Sequence, residues 1–152
     1  MNVKIEKMTV PARPVLSVRK TTSVENLPAE LGRAYQAIMF YLQELGEHPI
    51  DEPFAIYYNM DMQALDMEMG FPVASELPGR GEIQSNIIPA GEIVSAVHQG
   101  PYENLAATYE AMTAWMQENH CQPSGIVTEF YINDPEYVAP ADILTRIEFQ
   151  LI

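Results

Sequence analysis

The most informative feature of the sequence is an internal repeat, in which matched landmarks recur in the same order in both halves of the chain. Val10-Pro11-Ala12, with the apolar run that follows it, matches Ile88-Pro89-Ala90 at an offset of 78 positions. Ile56-Tyr57-Tyr58-Asn59 matches Phe130-Tyr131-Ile132-Asn133 at an offset of 74. One ordered set of matches at a long period is typical of a duplicated structural unit.

A third block, Leu65–Met69, matches Thr145–Phe149 at an offset of 80. The offset changes only between blocks, where insertions belong in loops. A chain of 152 residues that is 47% apolar is long enough for one globular core. We therefore predict a single domain over residues 1–152, with repeats 1–73 and 82–152 joined by a linker at 74–81.

Each repeat is predicted to run strand, strand, helix, strand, strand. The first helix is placed near residues 27–46 and the second near residues 103–119, each with one apolar stripe at three- and four-residue steps. The first stripe is Leu31, Tyr35, Ile38, Leu42 and Leu45, and the second is Leu105, Tyr109, Met112 and Met116. Gly46 is expected to end the first helix.

Single-faced helices must cover one face of a sheet, so the repeat predicts an α+β fold. We expect two ββαββ modules related by a pseudo-twofold axis. Their strands would form an eight-stranded antiparallel sheet with both helices on one face. Normal strand twist would make the open face concave, with a central ligand groove.

Composition excludes several classes of function. Eight basic against twenty-one acidic residues give a net charge of −13, which disfavours binding to nucleic acid. The single Cys121 and the three histidines have no ligand-like spacing, so we expect no metal and no cofactor. No apolar run is long enough to span a bilayer, so we expect a cytoplasmic protein without membrane contact.

Alternation in the strand at 126–132 puts Val127, Glu129 and Tyr131 on one face, and the other face is expected to pack under the helices. Glu129 and Tyr131 would then line the open groove. Their repeat partners, Ala55 and Tyr57, would line the groove as well and are predicted to contact the ligand. A carboxylate beside tyrosine rings offers negative charge and π faces to a delocalised cation.

Two further candidates for this groove are weaker. Trp115 lies one position from the helical stripe, which is more typical of a core residue than of a ligand contact. Glu148 faces the groove side, but Arg146 stands two residues away on the same face, which favours a local ion pair. His98 is interpreted as a loop histidine with a hydrogen-bond partner rather than as a catalytic base.

Five segments, spread over nearly the whole chain, together resemble the GyrI-like small-molecule-binding domain, also called the AraC-type effector-binding domain. Their order and spacing are more specific than any one of them, and they are Pro11-Ala12, Pro53–Asn59 with Asp61, Leu65–Val73, His98–Tyr102 and Thr128–Pro135. The resemblance implies two pseudo-twofold βαββ-type modules. It also implies that the carboxylate at Glu129 contacts cationic ligands, with Tyr57, Tyr102 and Tyr131 stacking around them.

Three functions stay open on this basis. The leading one is binding of amphipathic or aromatic organic cations, without catalysis. The second, implied by hydrolases of similar fold, is opening of strained cyclopropane rings with Glu129 as general base and Tyr57 or Tyr131 as donor. The third is an acidic protein-interaction module, such as a gyrase modulator. Regulatory relatives carry a helix-turn-helix segment before this domain; none precedes the first strand here, so we expect no direct DNA reading.

Overall fold

The structure, a computed structural model, describes residues 3–152. The chain forms two compact units, one comprising Pro11–Ala90 and the other comprising Gly91–Ile152 together with the N-terminal segment up to Val10. The strands are β1 Glu6–Val10, β2 Arg13–Thr22, β3 Phe54–Tyr57, β4 Leu65–Pro72, β5 Gln84–Ile88, β6 Gly91–Gln99, β7 Pro123–Tyr131 and β8 Leu144–Leu151. The helices are α1 Leu27–Leu45 and α2 Leu105–Glu118. We name the two units the α1 unit and the α2 unit.

Both helices lie where the apolar stripes predicted them. Helix α1 ends at Gly46, whose φ of 71° is left-handed and whose N–H bonds to the Gln43 carbonyl at 3.1 Å. Glycine tolerates this conformation at no steric cost, as its predicted capping role requires. Helix α2 begins slightly later than predicted, because Tyr102–Asn104 form a separate 3-10 turn ahead of it.

In the α1 unit, the four antiparallel strands follow the order β3-β4-β2-β5. The face of β4 that carries Met67, Met69 and Phe71 is buried, and the ring of Tyr35 on α1 meets Phe71 edge to face at 5.4 Å. Asp66 and Glu68 point to the other face, towards Arg19 and Tyr58. Side chains of β4 therefore alternate between the two faces of the sheet.

In the α2 unit, the order is β1-β6-β8-β7, again antiparallel. Helix α2 contributes Met112 and Met116 to a core cluster with side chains from β6, β7 and β8. The strand members of that cluster are Val94, Ala96, Val127, Ile147 and Phe149. Each unit is thus a four-stranded antiparallel sheet with one helix on it, and the predicted α+β class with eight antiparallel strands and two helices is confirmed within residues 3–152.

The first strand of each sequence repeat pairs with the second strand of the other repeat. Glu6 of β1 stands opposite Ser95 of β6, and Val15 of β2 stands opposite Asn86 of β5. The compact units therefore divide the chain at Val10 and Ala90, while the sequence repeats divide it within 74–81. Antiparallel pairing between strands of different repeats satisfies the backbone N–H and C=O groups as well as pairing within one repeat would.

The offset of 80 proposed for the last strand is wrong by two residues. Ala55 stands opposite Met69, and its counterpart Glu129 stands opposite Ile147, which gives an offset of 78 for β4 and β8. The edge-to-face pair of Tyr109 and Phe149, at 5.5 Å, repeats that of Tyr35 with Phe71 and requires the same offset. A two-residue slip preserves the alternation of faces, so sequence pattern alone could not detect it.

Neither helix of residues 3–152 combines the length and the apolar character needed to cross a membrane.

Candidate functional site

The Glu129 side chain on β7 is almost completely enclosed, with 7% of the residue exposed. Its carboxylate accepts hydrogen bonds from two tyrosine hydroxyls. Tyr109 of α2 donates to Oε2, and Tyr131 of β7 donates to Oε1 at 2.9 Å. Both donors are neutral hydroxyls, so they stabilise the negative charge of the Glu129 carboxylate but do not neutralise it.

The face predicted for Glu129 is wrong. Val127 belongs to the core cluster with Met112 and Met116 of α2, and Glu129 bonds to Tyr109 on the same helix. The face of β7 that carries Val127 and Glu129 therefore lies under α2. On the opposite face, the guanidinium carbon of Arg146 lies 4.1 Å from the centre of the Phe130 ring.

The alternation of side chains assigns each residue to one of two faces of β7, but it does not show which face lies under the helix. Ile126, Phe130 and Ile132 are as apolar as their alternating neighbours, so both sides of β7 looked suitable for burial. Hydrogen bonds from two tyrosines make burial of the acid tolerable on the helix side. The prediction that Glu129 and Tyr131 share one face is confirmed by the bond between them.

Aromatic rings extend from the surface to the acid. Tyr102 in the 3-10 turn is 39% exposed and meets the Tyr131 ring edge to face, with centres 6.0 Å apart at 71°. Tyr131 in turn bonds to Glu129, and Tyr109 packs against Phe149 on the inner side. The structure thus brings together Glu129, Tyr131 and Tyr102 from the predicted set.

Tyr109 was predicted only as a member of the helical stripe, and its contact with the acid was missed. A signal did exist in the sequence. A tyrosine on the buried stripe of a helix needs an acceptor for its hydroxyl. A strand carboxylate under that helix could have supplied it, had the face of β7 been assigned correctly.

Burial raises the pKa of the Glu129 carboxyl above its usual value, because enclosure disfavours the charged form. The hydrogen bonds from Tyr109 and Tyr131, and the neighbouring His98, act in the opposite direction but are outweighed. Within residues 3–152, no lysine or arginine forms an ion pair with Glu129. The same range contains no cluster of three or more His, Cys, Asp or Glu side chains that could hold a metal.

Ala55 occupies the matching position in the α1 unit and is fully buried. There, the counterpart of Tyr109 is Tyr35, and its hydroxyl donates to the Phe54 carbonyl at 2.8 Å. Tyr57 is half-buried on β3, opposite Met67. Ala55 stands opposite Met69, so its face of β3 lies under α1 and not on the open face as predicted. The duplicated scaffold therefore carries the acid in the α2 unit only, and the predicted ligand contacts of Ala55 and Tyr57 stay predictions.

The structure also shows the surroundings of the three weaker candidates, Trp115, Glu148 and His98. Trp115 on α2 packs against the core cluster of its unit. Arg146 Nε lies 3.3 Å from Glu148 Oε2, so the predicted ion pair is confirmed. His98 lies in strand β6 and not in a loop as predicted. It is buried, with Nδ1 2.7 Å from Thr108 Oγ1 and Nε2 3.3 Å from the Pro101 carbonyl, so the predicted hydrogen-bond partner is confirmed.

A second enclosed carboxylate, Glu68 on β4, is held by structural bonds. It is 1% exposed and accepts hydrogen bonds from Ser17 Oγ, from Tyr58 Oη at 2.6 Å and from Asn86 Nδ2 at 2.8 Å. Burial and the bond to Glu68 raise the pKa of the Tyr58 hydroxyl. These donors come from three other strand or loop positions, so Glu68 ties the sheet of the α1 unit together.

A sequence profile of the GyrI-like small molecule binding domain matches residues 1–152. No curated protein sequence matches the chain. Among solved structures, the C-terminal domain of EcmrR superposes with a TM-score of 0.79 at 20% identity, covering 100% of this chain and 99% of that one. EcmrR in its DNA complex gives a TM-score of 0.83 at 21% identity and 98% coverage, and this chain spans 57% of its length.

Two more structures share the fold at lower identity. A hydrolase from Listeria innocua has a TM-score of 0.72 at 16% identity, covering 98% of this chain and 92% of that one. SAV2435, solved bound to tetraphenylphosphonium, has a TM-score of 0.69 at 8% identity, covering 98% and 94%. The profile match over the whole chain defines a small-molecule-binding domain. The chain belongs to the GyrI-like family.

Proposed function

We propose that the protein binds a lipophilic organic cation with delocalised charge, and that Glu129 supplies the opposite charge. One observation supports this most strongly. The acid is enclosed beneath α2 with two tyrosine hydroxyls as its hydrogen-bond partners, and no lysine or arginine of residues 3–152 forms an ion pair with it. A buried ionised carboxylate without a cation is costly, so a cationic ligand has a large electrostatic incentive to enter.

The surrounding rings favour a delocalised cation over a small inorganic one. Each favourable cation–π contact contributes about 0.5–2 kcal/mol, with more where water is excluded. Tyr102, Tyr131 and Tyr109 offer three rings close to the carboxylate. A few such contacts, together with apolar burial, correspond to roughly micromolar affinity.

Tyr102 is the element of this site that a ligand would meet first. It is partly exposed, while Tyr131 and Glu129 lie progressively deeper. Burial, Asp134 and Glu129 raise the pKa of the Tyr102 hydroxyl, so this ring stands in the field of two carboxylates. An approaching cation therefore meets negative potential before it reaches the acid.

Family membership and one structural neighbour agree with this proposal. The family is one of small-molecule binding, and SAV2435 was solved with tetraphenylphosphonium, a lipophilic cation. Tetraphenylphosphonium is therefore the natural first probe.

Calorimetric titration of the wild type and Glu129→Gln with tetraphenylphosphonium, and with neutral triphenylphosphine oxide, tests the proposal. We expect Glu129→Gln to weaken the cation by at least about tenfold, or about 1.4 kcal/mol, and to leave the neutral compound nearly unchanged. Glu110→Gln, an exposed substitution one residue from Tyr109, is the matched control and should behave as wild type. Equal losses for both compounds would contradict the electrostatic role of Glu129.

A second function, hydrolysis of a strained small molecule, is favoured by one specific comparison and one feature of the site. A hydrolase from Listeria innocua shares the fold. A carboxyl group with a raised pKa beside tyrosine hydroxyls is suited to move a proton to or from a reacting group. Mass spectrometry of a cyclopropane-containing alkylating compound incubated with excess protein decides this, because hydrolysis adds one water to the compound and binding alone leaves it unchanged.

A further inference from the structure

The α1 unit contains a cavity that is separate from Glu129. It has a volume of about 220 Å³ and lies between α1, the middle of the sheet and the segment around Ile83. Its walls include the buried side chains of Val18, Ala34, Met69 and Ile83. The cavity is smaller than the roughly 300–1,000 Å³ of sites for drug-sized ligands, so it suits a small molecule or an alkyl chain.

The rim of this cavity concentrates positive charge. Lys20, Arg33 and Arg80 all line it, and they are three of the eight basic residues in a chain of net charge −13. Glu30 and Glu82 also line the rim, so the lining charges sum to a small positive value. An apolar chamber with a basic edge is complementary to a molecule with an apolar body and a negative end.

The three cations at the rim share two carboxylates in salt bridges. Glu30 is shared between Lys20 Nζ, at 2.9 Å, and Arg33 Nη1, at 3.1 Å, so one carboxylate serves two cations. Arg80 pairs with the exposed Glu44 and its guanidinium carbon lies 4.3 Å from the centre of the Tyr41 ring. The side chains of Arg33 and Arg80 are more than half exposed, so both can reorient towards a ligand at modest cost.

The repeat shows why the cavity is open in the α1 unit. At the matching positions of the α2 unit, Lys20 is replaced by His98 and Ala34 by Thr108. His98 and Thr108 are joined by a hydrogen bond of 2.7 Å that links β6 to α2. In the α1 unit, Ala34 offers no polar partner and Lys20 turns to Glu30, so the equivalent space is not bridged.

We propose that this cavity binds an amphipathic organic anion, a small aromatic or medium-chain carboxylate. Its apolar part would pack on Val18, Ala34 and Met69, and its carboxylate would meet Arg33 and Arg80 at the rim. The two proposed sites take ligands of opposite charge and lie in different units. This inference therefore does not depend on the function proposed for Glu129.

The test uses the fluorescence of anilinonaphthalene sulfonate, an amphipathic anion, with decanoate as competitor. We expect the double variant Arg33→Gln/Arg80→Gln to bind the dye roughly fivefold to tenfold more weakly at low salt, and added salt to weaken wild-type binding. Arg19→Gln is the matched control, because Arg19 lies in the same unit on the other face of the sheet and bonds to Asp66. It should bind the dye as wild type does.

Two further measurements locate the ligand. Ala34→Leu fills the chamber while keeping every rim charge, and should also weaken the dye. In protein with labelled methionine methyl groups, the Met69 signal should shift on addition of decanoate. Unchanged binding by the double variant, an equal loss in Arg19→Gln, or a Met69 signal that stays in place would each overturn the proposal.

Discussion

Tyr109 of α2 donates a hydrogen bond to the carboxylate of Glu129 on β7, and this bond fastens the helix to the strand through a buried acid. In the α1 unit, the equivalent tyrosine, Tyr35, bonds to the backbone carbonyl of Phe54 instead. One duplicated framework thus uses the same hydroxyl for a structural contact in one unit and for holding an acid in the other. The consequences of this difference can be measured.

Tyr109→Phe should destabilise the protein at neutral pH. The substitution removes one of two donors to a buried carboxylate, and hydrogen bonds to charged groups contribute about 1.5–3 kcal/mol. We expect a loss of that size in the free energy of unfolding measured with urea. Tyr137→Phe is the control, because Tyr137 is 83% exposed, and it should leave stability unchanged. A Tyr109→Phe variant as stable as the control would show that the bond to Glu129 contributes little.

Glu129 should make stability depend on pH in a defined direction. Burial raises the pKa of its carboxyl in the folded state, so the folded protein holds this proton more tightly than the unfolded chain does. Its favourable contribution is therefore complete below the unfolded pKa, near 4.5, and is lost as pH rises through the raised folded pKa. Urea unfolding of wild type and Glu129→Gln over this range should show the wild type losing stability relative to the variant. A constant difference, or one that grows in favour of the wild type, would contradict the raised pKa.

Cation affinity should rise with pH over the same range. A bound cation favours the ionised carboxylate, so binding lowers the pKa of Glu129 and releases a proton. Calorimetry with tetraphenylphosphonium in two buffers of different ionisation enthalpy measures that proton directly. Glu129→Gln should release none. If wild-type affinity did not change with pH in this range, the raised pKa of Glu129 would be contradicted.

Tyr102→Ala should weaken aromatic cations while sparing the fold. The ring is partly exposed and contacts Tyr131, so its loss removes a stacking surface worth about 0.5–2 kcal/mol and leaves the core cluster untouched. Titration should show a roughly twofold to thirtyfold loss of affinity for tetraphenylphosphonium. Tyr137→Ala removes a ring of the same kind from an exposed loop and should have no effect. Equal affinities for the two variants would place the ligand away from Tyr102.

Gly70→Ala tests the close approach of β2 and β4. A Cβ at this position would lie 2.0 Å from the Leu16 carbonyl oxygen, so the two strands must separate. We expect a loss of about 1–3 kcal/mol or more in the free energy of unfolding. Gly32→Ala is the matched control, since nothing lies within 4 Å of its added methyl group. In the middle of α1 it should stabilise the protein by about 1 kcal/mol.

Local pattern predicted the helices and the alternation of strands, because both depend on residues close together in sequence. The stripe of α1 and the cap at Gly46 were found in this way. The pairing of β1 with β6 and of β5 with β2 joins residues far apart in sequence, and many alternative pairings satisfy the same backbone groups. The two-residue error in the β8 offset has the same origin, since each face of a strand repeats every second residue.

The sequence singled out Glu129 and its neighbour Tyr131, but it did not predict that Glu129 lies under α2 or that it contacts Tyr109. Glu129 stood out because its repeat partner is Ala55. Which face of β7 lies under α2 depends on how whole layers pack, and Val127 and Phe130 are both suited to a core. Because the wrong face of β7 was assigned to the helix side, the hydrogen bond from Tyr109 to Glu129 was missed as well.

A crystal structure of the protein with tetraphenylphosphonium tests the central claim most directly. The quantity to measure is the distance from the phosphorus atom to the nearest carboxylate oxygen of Glu129. The account predicts a distance of about 4–6 Å, within direct reach of opposite charges, with Tyr102 and Tyr131 against the phenyl rings. A cation bound elsewhere, with the hydrogen bonds from Tyr109 and Tyr131 to Glu129 unchanged, would contradict it.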